Sequence, residues 1–105
     1  MKNVKPFKPT EKLAKQWLKE ASQGNRRLLF SQHAELRMRE RKIGRRQILE
    51  TLGHGTISEH LHQDIRGDWR CNVSWTHAGQ RITVGTIFKL NENGEWVLIA
   101  TVFEE

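Results

Sequence analysis

Three residues that can carry positive charge recur at four-residue spacing within the segment Ser31–Ile43: His33, Arg37 and Arg41. On a helix, positions i, i+4 and i+8 form nearly one stripe. Stacked cations repel one another, so such a stripe is costly unless an anion or an acidic partner sits opposite. Ser31 has the character of a helix N-cap, and the backbone N–H groups of a first helical turn favour an anion. Together these features suggest a phosphate-binding site. The plainer reading is a solvated face. Glu40 lies within i+3 reach of Arg37, and Arg39, Lys42, Arg45 and Arg46 would then serve solubility alone.

Other candidates carry less. His60 and His62 are two apart in an extended stretch, a spacing that can hold a metal such as zinc, but no third ligand is evident, so exposed strand histidines and no metal are expected. Cys71 alternates with Trp69 and Val73 and reads as a small core residue. Trp69 and Trp75 share one strand face, where they could stack on the bases of single-stranded RNA or simply fill the core. The opposite face, with Arg70, Asn72, Ser74 and Thr76, is a polar sheet surface that could receive RNA.

These residues need elements to position them. Met1–Pro9 is polar and broken by Pro6 and Pro9, which reads as a loose arm with Phe7 docked on the body. Thr10 is a candidate N-cap for a first helix with an apolar stripe of Leu13, Ala14, Trp17, Leu18 and Ala21, stopped at Gly24. Asn25–Leu29 reads as a short connection. A second helix is expected from Gln32 to about Arg41 and a third from Arg45 to Leu52, ended by Gly53 and Gly55.

Beyond Gly55 the period changes to two. Thr56–His62 reads as a strand with Ile57, Glu59 and Leu61 on one face. A turn around Asp64–Asp68, a strand from Trp69, a hairpin turn at His77–Gln80, a strand through Phe88, a turn at Asn91–Gly94 and a last strand Trp96–Phe103 follow. The last strand is apolar on both faces and is therefore expected inside the sheet. The expected architecture is a single α+β domain over 1–105, with an arm at 1–9, a helical part at 10–55 and an antiparallel sheet of about four strands at 56–105. Its helices would pack on one sheet face.

The totals bound the function. Eighteen Lys and Arg against 12 Asp and Glu give +6, which favours polyanionic partners without conferring sequence specificity. A single cysteine forms no internal disulfide and suits a reducing compartment. No run approaches the roughly 20 apolar residues of a membrane span, so a cytoplasmic location is expected and no membrane partner. There is no glycine-rich phosphate loop and no catalytic-triad spacing, and no cofactor is expected.

The pattern His33-x-x-x-Arg37-Met38-x-x-Arg41-x-Ile43, a short helix, Gly55, and the closing run Ile99–Phe103 resemble the DUF4258 family over about Phe30–Phe103. That family is grouped with the RelE-like toxins, in the barnase, EndoU, colicin and RelE group, whose plan is two helices followed by a four-stranded antiparallel sheet. The resemblance implies a metal-independent endoribonuclease, toxin-like, with RNA as substrate and an acidic antitoxin-like protein as partner. It implies His33 as the acid or base, Arg37 and Arg41 as the phosphate clamp, and Thr101 as a hydrogen-bonding group from the last strand. Arg39, Lys42, Arg45, Arg46 and Arg70 would extend the nucleic-acid surface. His77, His62 and His60 all remain open as the second proton-transfer group. The family Tyr is Phe103 in this chain, so any role of that hydroxyl is lost. The alternative is a module without catalysis, binding nucleic acid or a protein, of phage or mobile-element origin.

Overall fold

The Thr10 side chain accepts a hydrogen bond from the Leu13 N–H at 3.1 Å and opens α1 (Glu11–Ser22). Ala14, Trp17, Leu18 and Ala21 form its buried stripe, and Gly24 follows with φ +81, a conformation that suits glycine. The structure, a computed structural model, describes residues 8–103, with side chains as far as Thr101. Phe7 and most of the arm therefore lie outside the described residues, and Pro9 at its end is buried.

The connection expected after α1 contains a strand. β1 (Leu28–Phe30) runs parallel to the last strand, with Leu28 opposite Leu98 and Phe30 opposite Ala100. Three residues are too few to show a period, which is why this strand is silent in the sequence. α2 (Gln32–Arg41) and α3 (Arg45–His54) follow, then β2 (Thr56–Gln63), β3 (Trp69–His77), β4 (Gln80–Leu90) and β5 (Trp96–Phe103). The sheet has five strands in the order β1-β5-β4-β3-β2. It is mixed: β1 and β5 are parallel and the other neighbours antiparallel. The expectation of four antiparallel strands is corrected by β1, whereas the α+β class holds.

Cross-strand register sorts the faces. Cys71 stands opposite Thr86, Val73 opposite Val84, and Phe88 opposite Leu98. These residues meet Trp17, Leu18, Ala34, Ile43, Ile48 and Leu52 from the three helices in one core. Full burial of a side chain such as Phe88, Ile48 or Leu98 stabilises the fold by about 1.5–3 kcal/mol each. Trp17 stacks on Trp96 at 5.2 Å and tilts against Phe88 at 5.8 Å, fixing α1 over β4 and β5.

β2 departs from simple alternation. Ile57 pairs with Val73 but Glu59 with Asn72, and a second shift follows before His62 pairs with Arg70. Each bulge adds a residue on β2 and turns the chain over. Glu59 therefore leaves the face of Ile57 and joins Asn72, whose Nδ2 donates to its Oε1 at 2.9 Å. Gly55, joining α3 to β2, is required: a Cβ there would lie 2.5 Å from the Thr51 carbonyl oxygen and 2.7 Å from that of Ser74.

Candidate functional site

α2 is hung on the end of β5. The Ser31 hydroxyl accepts from the Ala34 N–H at 3.0 Å, capping the helix. It also donates to the Ala100 carbonyl at 3.3 Å, and the Ser31 N–H reaches the same oxygen at 3.2 Å. Ala34 and Ile43 are buried beneath the helix. The helix ends at Lys42 in the left-handed region, φ 56, and α3 opens at Gly44, whose N–H donates to Gln47 Oε1 at 2.8 Å. The Arg45 guanidinium then lies 4.8 Å above the Phe30 ring, a cation–π contact that ties the start of α3 to β1.

All three stripe residues fall inside α2, so the i, i+4, i+8 alignment is realised. His33 and Arg41 are exposed and Arg37 is half-buried. Arg41 makes a contact of its own. Glu40 does not pair with Arg37, and among the described residues no carboxylate lies within ion-pair distance of Arg37, Arg39, Lys42 or Arg45. Arg46 has Glu50 at 3.7 Å on an exposed surface, which is worth little. Between Ser31 and Arg46 six Lys and Arg face two Glu in sequence. The result is a weakly neutralised cationic surface, seated on the sheet by its opposite side.

Residues 30–104 match a family described as Domain of unknown function (DUF4258). The chain belongs to the DUF4258 family. No curated protein and no solved structure matches it. Within the DUF4258 match lie α2, α3 and β2 to β5, with β1 entering only at Phe30, while α1 falls outside and contributes Trp17 and Leu18 to the core.

The other expected site residues of this DUF4258 domain are spread out. Thr101 follows Ala100 on β5, and its hydroxyl donates to the Gly85 carbonyl at 3.3 Å, within the sheet. Arg70 lies on β3, toward the sheet edge away from β1, with its Nη1 at 3.8 Å from Asp64. Asp64 is held below the usual carboxylate range by the Asp68 and Arg66 N–H groups, with a smaller contribution from Arg70. The polar sheet face is also internally satisfied: the Ser74 hydroxyl contacts those of Ser58 at 2.8 Å and Thr83 at 2.7 Å.

Of the three histidines open as a second proton-transfer group, His60 and His62 sit on edge strand β2. His60 Nδ1 contacts Glu11 at 2.8 Å, and His62 Nδ1 lies 2.9 Å from the His60 carbonyl oxygen. His77 ends β3, at the end of the sheet where β1 and β5 also terminate and α2 begins. Cys71 is fully buried, and burial, with Glu11 and Glu59 adding to it, pushes its thiol up to about 12. No described helix is long and apolar enough to cross a membrane.

One feature of the DUF4258 domain was not foreseen from the sequence. Trp75 stays outside the core that Trp69 joins, and stacks with two imidazoles: His54 at 5.1 Å and His77 at 4.8 Å, the latter within 10° of parallel. The Trp75-x-His77 spacing on one strand face was the available signal. His54 arrives from the end of α3, and nothing in local sequence announces that.

Proposed function

We propose that this DUF4258 domain binds RNA along the His33–Arg37–Arg41 stripe and cleaves it without a metal ion, as a toxin-like endoribonuclease of the RelE-like kind. The observation that carries the reading is Arg37. Arg37 is half-buried as a residue and has no carboxylate partner among the described residues, so its charge is left for an anion such as a phosphate to pair. His33, one turn earlier and exposed, would take the proton from a ribose 2′-OH. The 2′-oxygen then attacks phosphorus, the bond to the 5′-oxygen breaks, and a second acid returns a proton to that leaving oxygen. Arg37 and Arg41 would hold the charge that builds on the phosphate. Arg39, Lys42, Arg45 and Arg46 extend the same surface along the strand. An acidic antitoxin-like protein would fit it too.

A second reading, RNA binding without cleavage, draws support from His33 itself. It has no hydrogen-bond partner among the described residues, whereas a catalytic imidazole is ordinarily oriented by one. Purified protein incubated with mixed RNA in the presence of chelator, beside His33→Ala and Arg37→Ala variants, separates the two. Cleavage lost in both variants supports the nuclease. Binding that survives His33→Ala, with no cleavage by the parent, supports the module.

A further inference from the structure

The ring stack at Trp75 borders a cleft of about 140 Å3 between α3 and the β3–β4 hairpin, and Gln47, Glu50, Trp75, His77 and Gln80 line it. Its walls differ in chemistry. One carries the near-parallel stack of Trp75 on His77, with Trp75 half-buried and His77 exposed. The other is polar. Gln47 Nε2 donates to Gln80 Oε1 at 3.2 Å, and Gln47 Oε1 is taken by the Gly44 N–H. The Gln80 Nε2 donors have no partner among the described residues, and only one Glu50 oxygen is engaged, loosely, by Arg46. An exposed imidazole at the end of a ring stack, beside unspent amide donors and a carboxylate acceptor, suits a planar heterocycle with acceptor and amino groups on its edge. Arg46, whose Nε lies 3.7 Å from Glu50 Oε2, sets a cation beside the cleft where a sugar-phosphate would leave it.

We infer that this cleft is a nucleobase subsite, in which one base of a single-stranded RNA extends the stack by lying on the exposed ring of His77 while Gln80 and Glu50 contact its edge. The inference rests on the RNA reading above and adds a base-binding position, away from the α2 stripe, to what would otherwise be contact with phosphates alone. Stacking supplies affinity for any base, because every base has a π face, and Glu50 favours one bearing an exocyclic amino group.

The test compares binding of two oligomers of equal length and charge by the full chain: a 2′-O-methyl oligocytidine, which resists 2′-OH-dependent cleavage, and its abasic counterpart. The expected result is roughly fivefold or tighter binding of the base-bearing strand. His77→Ala, at an exposed position, and Gln80→Ala, at a half-buried one, should each reduce that preference and leave affinity for the abasic strand unchanged. Equal affinity of the parent for both strands overturns the subsite while leaving phosphate binding by α2 intact. A preference that persists in both variants overturns it as well. Failure of either strand to bind overturns the RNA reading and the subsite with it.

Discussion

Ser31 grips the Ala100 carbonyl oxygen twice, through its N–H at 3.2 Å and its hydroxyl at 3.3 Å, while the same hydroxyl caps α2. Replacement of Ser31 by alanine removes the cap and one of the two ties. The expected cost is about 1 kcal/mol, read as a lower urea midpoint with an unchanged slope. Ser31→Thr keeps both hydroxyl bonds and should unfold with the parent. If Ser31→Ala unfolds with the parent instead, the cap contributes nothing.

Arg37 makes a different prediction, because its charge has no carboxylate partner among the described residues. Arg37→Met keeps most of the stem and removes the charge. Stability should stay level or rise, while RNA affinity falls and the slope of log affinity against log salt shrinks by about 0.7. Loss of stability alongside unchanged RNA binding would make Arg37 a structural residue.

Thr86 is fully buried, and its hydroxyl has no hydrogen-bond partner among the described residues. Its cross-strand neighbours are Cys71 and Ala100, both small and buried. Valine has nearly the same shape without the oxygen, so Thr86→Val should stabilise the domain by about 1 kcal/mol, or about 4–8 °C in Tm for a domain of this size. A lower Tm in calorimetry would mean that the hydroxyl is satisfied in solution.

Glu11 ties α1 to β2. His60 Nδ1 and the Leu61 N–H both reach its Oε2, at 2.8 and 3.2 Å, and these bonds hold its carboxyl below the ordinary 4.5. A carboxyl depressed in the folded state contributes stability above its unfolded pKa and loses it as pH falls through the folded one. The parent should therefore weaken below about pH 4.5 more steeply than Glu11→Gln, which should be less stable than the parent at neutral pH. Parallel stability–pH curves for the two proteins would remove Glu11 from the acid response.

Much of this fold is legible in the sequence because local chemistry and tertiary demand agree. Thr10 and Ser31 cap the helices that follow them, and Ala78 and Gly79, with φ 53 and 79, make the β3–β4 turn. β1 is the instructive miss. The clue lay in β5: a strand apolar on both faces, placed last in a meander, would be an edge unless another strand covered its free side, and Leu28–Phe30 is that strand. The bulges of β2 were also invisible, since an extra residue shows only against its partner strand. At the site, one-helix relationships such as His33–Arg37–Arg41 could be read. Contacts assembled from distant segments, such as His54 with Trp75 and Arg45 with Phe30, could not.

The pairing of Leu28 with Leu98 joins positions 70 residues apart, and Ser31 depends on Ala100 in the same way. During synthesis α1, α2 and α3 exist well before their last supporting strand does. The cationic helix therefore has no seat until residue 100 has been made and has left the ribosome, and non-local pairing of this kind is slow to form. A nascent chain displays its arginines early but holds them in register only once β5 has paired with β1.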